Sequence, residues 1–125
     1  MEKVEKAYIC SPLSAPTQEG IRSNMLLARQ HMEAISRQYG YRTYAPHAYL
    51  PELLDENQPE ERALALSFGK ELLKRCQILI VCGNRISGGM CEEICAAASW
   101  GKTIYFCSPK DDYRMTLFID GRQGV

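Results

Sequence analysis

An α/β fold of three layers, with a mainly parallel sheet of four or five strands between helices, is the class this sequence predicts. Three observations carry it. Apolar runs that end at proline or glycine alternate with stretches of helical periodicity along most of the chain. The run "QILIVCG" (77–83) is apolar almost without interruption, as a strand buried on both faces must be. Glycines stand where helices should stop, at Gly40 and Gly101.

Taken in order, "VEKAYICSP" (4–12) is apolar and aromatic, ends at proline, and reads as the first strand. Beyond the loop "LSAPTQEG", the apolar positions Met25, Ala28, Met32 and Ile35 follow helical spacing, which predicts a helix from about Gly20 to Gln38. "YRTYAP" (41–46) is a second short strand, closed by proline. A helical turn is expected near Leu53, and a longer helix from about Pro59 to Arg75. Pro59 suits the first turn of that helix, and Glu60 and Glu61 suit its dipole. The buried strand 77–83, a helix ending at Gly101 and the strand "KTIYFCS" (102–108) complete the alternation. The tail "DDYRMTLFIDGRQGV" admits a short helix or an edge strand. Such alternation gives parallel strands joined by helical crossovers, a flavodoxin-like or Rossmann-like sheet with helices on both faces.

The chain has 125 residues, which predicts a single domain over 1–125 able to bury a core without staples. Hydrophobic residues make up 46% and charged residues 24%, as in an ordinary soluble globular protein. Fifteen basic and fifteen acidic residues cancel, so no net field draws the chain to a nucleic-acid polymer or an anionic membrane. The charged start "MEKVEKAYICSP" has too short an apolar run for a signal peptide, and no window reaches transmembrane length. A cytoplasmic location is expected. The six cysteines lie mostly in apolar runs without a CxxC pair, which favours buried free thiols over disulfides. Cys91 and Cys95 share a helix, but His31 and His47 lie far off in sequence, so no metal site is expected.

In parallel sheets, ligands bind beyond the carboxyl ends of the strands. That rim carries "SPLSAP", headed by Ser11, then "PHAYLP" and "GNRISGGM". The last loop leads into "ISGGMCEEICAAASWGK" (86–102), with two adjacent glutamates. A helix turns about 100° per residue, so with Met90 at the centre of the buried face, Glu92 lies about 160° away, in water. Glu93 lies about 60° away, at the border of the buried face and near the helix start, and is the inward one. A carboxylate there serves as dipole compensation or a salt bridge, or as a nucleophile or base at the mouth of a site. The loop contributes Gly83, Arg85, Ser87, Gly88, Gly89 and Met90 as candidate ligand contacts, with backbone N–H groups free for an anion at the helix start.

"GGMCEEICAAASWGK" resembles the signature of the nucleoside 2-deoxyribosyltransferase family and its nucleotide N-glycosidase relatives. In that family a glycine-containing loop precedes a glutamate, an apolar residue, small residues and a helix ending in Gly-Lys. Glu93 falls on the nucleophilic glutamate, and Gly101-Lys102 on the helix end. "AYICSP" is similar to the family's first strand, with Tyr8 at the position of an active-site tyrosine. "YAPHAYLPELLDE", "PEER", "LLKRC" and "RISGGM" are more similar still to a bacterial and phage group of uncharacterised domains related to these transferases. Over residues 5 to 106, the resemblance implies N-glycosidic chemistry on a nucleoside or nucleotide, without a cofactor. It also implies a homodimer or higher oligomer in which a neighbouring subunit completes the site. Gln77 and Ser87 stand where members carry aspartates; a serine in the glycine loop suits a 5′-phosphate, as in the nucleotide hydrolases of the family.

The remaining candidates divide between plain and functional readings. His47, just past a strand, is solvated or hydrogen-bonded, or contacts base or sugar. Asn24 caps locally or reaches a ligand. Tyr8 is core by default, and only the resemblance promotes it. Arg62, near Glu60 and Glu61, reads as a surface ion pair, which leaves Arg85 as the phosphate partner. "GNRISGG" has neither Walker nor dinucleotide spacing. Two rival classes remain: a non-catalytic module that binds a nucleotide or nucleotide-derived signal, and a flavin carrier.

Overall fold

The computed structural model describes residues 4–121. Five strands form one sheet in the order β2-β1-β3-β4-β5. Strands β1 (Lys6–Cys10), β2 (Arg42–Tyr44), β3 (Ile78–Cys82) and β4 (Thr103–Cys107) run parallel, and β5 (Thr116–Ile119) runs antiparallel to β4. Of the two alternatives for the tail, the edge strand is the one found; a 3₁₀ turn at Pro109–Asp111 leads into it, and residues 122–125 of the tail lie outside the described residues. Phe118 on that strand meets Phe106 edge-to-face at 5.1 Å.

Helix α1 (Gln18–Tyr39) connects β1 to β2. The Thr17 hydroxyl accepts from the Gly20 N–H at its start, and Gly40, at φ 76°, ends it with an N–H donated to the Ser36 carbonyl. Its buried stripe is Met25, Ala28, His31 and Ile35. The short α2 (Leu50–Leu53) and the longer α3 (Pro59–Lys74) connect β2 to β3, and α4 (Gly88–Ser99) connects β3 to β4.

Strand alternation sorts the core into two clusters. Ala7 and Ile9 of β1 join Ile78 and Ile80 of β3 beneath α1. Tyr8 and Cys10 join Leu79 and Val81 on the other face, against Leu73 of α3 and Met90 and Ala97 of α4. That period of two is what puts the phenol of Tyr8 and the thiol of Cys10 on the same side as α4. The chain leaves β1 toward one edge of the sheet, returns across it to β3, and continues toward the other edge. This reversal opens a crevice at the carboxyl ends of β1 and β3, where ligands of doubly wound folds sit. No helix among the described residues is long and apolar enough to cross a membrane.

Candidate active site

An open cavity of about 700 Å³ occupies that crevice. Tyr8 of β1 forms its floor with Ser11, just past the strand; the start of α4 forms one wall and α3 another.

The start of α4 is built around Ser87, whose hydroxyl accepts from the Met90 N–H at 3.3 Å and so caps the helix. The next two residues, Gly88 and Gly89, line the cavity; a Cβ at either would meet nothing within 4 Å. Neither packing nor a positive φ requires glycine there. What the glycines leave is access to the first-turn N–H groups, which have no partner within the helix.

Glu93 lies one turn further on, half-buried, while Glu92 is exposed at the rim, as the helical wheel predicts. The two oxygens of Glu93 are both occupied. The Tyr8 hydroxyl donates a short hydrogen bond to Oε2, and the Cys10 thiol donates to Oε1 at 3.5 Å. Burial pushes the Glu93 carboxyl above its usual 4.5, against the two donors, which favour the ionised form. Burial and the neighbouring carboxylate push the Tyr8 phenol far above its usual value, so it remains a donor.

Ser11 and His47 form a second pair on the cavity wall, with Ser11 Oγ and His47 Nε2 2.8 Å apart. Burial lowers the His47 imidazole to about 4, with His31 adding to the effect, so the ring is neutral at physiological pH. Pro46 starts the 3₁₀ turn that carries His47, and Arg29 anchors the turn from α1 by donating to the Ala48 carbonyl at 3.0 Å.

Tyr8, Ser11, His47, Ser87, Gly88, Gly89, Met90 and Glu93 therefore converge on one cavity. Asn24, Gly83 and Arg85 stand outside its lining. The Asn24 side chain donates to the Leu13 carbonyl at 2.9 Å and braces the loop whose Leu13 and Ser14 do face the cavity. Gly83 has φ 106°, a value that favours glycine, and its N–H goes to the Cys107 carbonyl. Arg85 is exposed on the loop. Gln77 is at the opposite end of the sheet, where its side-chain oxygen accepts from the Lys6 N–H at 2.7 Å.

Three charged residues in the lining were not anticipated. Arg62 is one, in place of the expected ion pair: no carboxylate among the described residues lies within salt-bridge distance of it, and Glu61 instead accepts from the Asp55 N–H. Lys70, two helical turns on, is the second, and the half-buried Glu56 is the third. A spacing of eight along α3 is the signal that could have put Arg62 and Lys70 on one face. Nothing local marks Glu56.

The expectation of free, mostly buried thiols holds, with two exceptions. Cys10, Cys76, Cys82 and Cys107 are buried, but Cys91 and Cys95 are exposed, and all six are free. On the helical wheel these two lie about 100° and 140° from Met90, toward solvent. No group of three or more His, Cys, Asp or Glu side chains among the described residues is placed to hold a metal.

The fold is similar to that of a 2-deoxyribosyltransferase from the psychrotolerant bacterium Bacillus psychrosaccharolyticus. The TM-score is 0.61 at 22% identity, over 83% of this chain and 72% of the other. At that identity the likeness is one of fold. No curated protein matches the chain. Residues 5–109 match a family described as "Domain of unknown function (DUF7768)", and the chain belongs to that family.

Proposed function

We propose that this protein cleaves or transfers the N-glycosidic bond of a nucleoside or nucleoside 5′-monophosphate, with Glu93 as nucleophile. The observation that carries the reading is the setting of Glu93: a carboxylate in a crevice at the strand ends, held by Tyr8 and Cys10 beside an open helix start. The fold likeness to a 2-deoxyribosyltransferase supports it. A Glu93 oxygen bonds to C1′ while the C1′–N bond breaks through an oxocarbenium-like state, and the base departs with the electron pair. Water or a second base then attacks C1′ and frees the carboxylate. No cofactor enters this chemistry. Ser11 and His47 supply neutral hydrogen-bonding groups for sugar or base. Besides Glu93 and the rim residue Glu92, Glu56 is a further carboxylate in the cavity, of the type that handles a leaving base.

A 5′-phosphate fits the Ser87-Gly88-Gly89 wall, where the N–H groups and the helix dipole favour an anion. Arg62 and Lys70 replace Arg85 as the available cations. Calorimetry should show a monophosphate binding roughly tenfold to hundredfold more tightly than its nucleoside, for one charge-assisted contact of about 1.5 to 3 kcal/mol. Equal affinities would remove the phosphate from the reading. The activity itself is tested by incubating a panel of nucleosides and 5′-monophosphates and watching for free base. Binding without base release would select the second reading, a non-catalytic nucleotide-binding module, which Ser87 favours by standing where the transferases carry an acid.

Helix α3 buries only Leu73, and Leu64, Leu66 and Phe68 on it are more than half exposed. Leu66 also lines the cavity, which fits a second copy of the chain packing on α3 and closing the site. Light scattering should report an oligomer, and Phe68→Glu should shift it toward monomer. A monomeric parent protein would exclude this arrangement.

A further inference from the structure

The two oxygens of Glu93 are held unequally. Oε2 takes the hydroxyl of Tyr8 in a short bond; among the described residues Oε1 takes only the thiol of Cys10, at 3.5 Å. A thiol is a weak donor and a phenol a much stronger one, so more of the carboxylate's electron density stays available at Oε1. Cys10 is fully buried at the end of β1. Burial, and then the Glu93 carboxylate, push its thiol well above the usual range, so it acts toward Glu93 as a donor rather than as a competing nucleophile. The same sulfur has a second acceptor, the Met90 carbonyl, at 3.9 Å.

We propose that Cys10 is a positioning residue that presents Oε1 of Glu93 as the attacking oxygen. The inference rests on the N-glycosidic reading above and adds an assignment of the two carboxylate oxygens to it. Tyr8 fixes the plane of the carboxylate through Oε2. Cys10 steadies Oε1 without tying up its lone pairs. When Oε1 bonds to C1′, the C1′–N electron pair leaves with the base, which takes its proton from the Glu56 carboxyl or from solvent. The thiol keeps its own proton and turns it toward the Met90 carbonyl, so no buried donor is left unpaired. A hydroxyl in place of the thiol would hold Oε1 more firmly and blunt the attack. A methyl would leave Oε1 without a donor.

The test combines two readouts on the full chain, with Cys10→Ser and Cys10→Ala compared with wild type. The first is an NMR titration of the Glu93 side-chain carboxyl carbon, assigned by its loss in Glu93→Gln. The second is kcat and KM for base release from nucleoside 5′-monophosphates. Cys10→Ser should lower the Glu93 pKa by about half a unit, and Cys10→Ala should raise it by a similar amount. Cys10→Ser should also lower kcat about tenfold with KM unchanged, as for an interaction that matters in the transition state. Cys10→Ala should move the acidic limb of the rate profile upward with the carboxyl. The pair of variants brackets wild type, so a general packing defect, which would move both the same way, is told apart. A titration unmoved by either substitution overturns the contact. A titration that moves while kcat for Cys10→Ser stays at the wild-type value overturns the assignment of Oε1 as the attacking oxygen. Wild-type protein that releases no base overturns the N-glycosidic reading, and the assignment of an attacking oxygen with it. The titration, which needs no substrate, then reports the Cys10 contact by itself.

Discussion

The two faces of the sheet treat buried polar groups in opposite ways. Beneath α1, His31 is 1% exposed, its Nδ1 lies 2.8 Å from the Tyr113 hydroxyl, and the rings meet edge-to-face. Tyr39 closes the arrangement by donating to the Tyr113 carbonyl at 2.6 Å. Among the described residues no buried side-chain nitrogen or oxygen there lacks a partner. On the α3–α4 face, Glu93 is equally well supplied with donors, but it lines a cavity open to solvent and stands beside the unspent N–H groups of a helix start. One face uses its hydrogen bonds to close the core; the other uses them to hold a carboxylate in the open. A buried titratable group points to chemistry only where something outside the protein can reach it.

The largest effect is expected at the two adjacent glutamates, one facing the cavity interior and one at its rim. Glu93→Gln should reduce base release by roughly three orders of magnitude or more, whereas Glu92→Gln should stay within about twofold of wild type. Steady-state assays of the two variants decide this, and equal losses would mean that the outward carboxylate had been misjudged.

The next effect concerns stability, and His31 and Glu93 should contribute to its pH dependence with opposite sign. Burial lowers His31 from 6.5 to about 4, so the unfolded chain takes up the proton first as pH falls. Its contribution is fully present above 6.5 and is lost between 6.5 and about 4, amounting to roughly 3 kcal/mol at 1.36 kcal/mol per pKa unit. Glu93 is raised above 4.5, so its contribution is fully present below 4.5 and is lost as pH rises through the folded value. Urea melts should therefore show that His31→Asn removes much of the acid-side loss. Glu93→Gln should instead raise the midpoint at neutral pH, with the gain fading as pH falls toward 4.5 and absent below it. Parallel pH profiles for both variants would contradict the contrast.

The smallest effect is on reactivity. Cys91 and Cys95 should label quickly in the native protein, and the four buried thiols only after denaturation. Mass spectrometry of the labelled peptides distinguishes the two groups. Rapid native labelling of Cys10 would show that the end of β1 is more open than the burial of its thiol indicates.

The sequence by itself determined the alternation of strands and helices, because apolar periodicity and glycine or proline stops are local properties of the chain. It also determined which glutamate faces inward, since a rotation of about 100° per residue needs only a helix and a buried side. Ser87, Gly88 and Gly89 were legible for the same reason: a helix start after a strand marks where an anion can sit. Tertiary structure decided the rest. Sequence spacing could not show that Tyr8 and Cys10 reach Glu93 across separations of 85 and 83 residues, because the contact depends on pairing β1 beside β3. Nor could it turn Arg62 and Lys70 toward the cavity and leave Arg85 in solvent: a long charged side chain faces wherever the packed helix leaves room. Local rules set the rotation of each element about its own axis. Only the packing of elements against one another sets which side chains from distant parts of the chain share a volume.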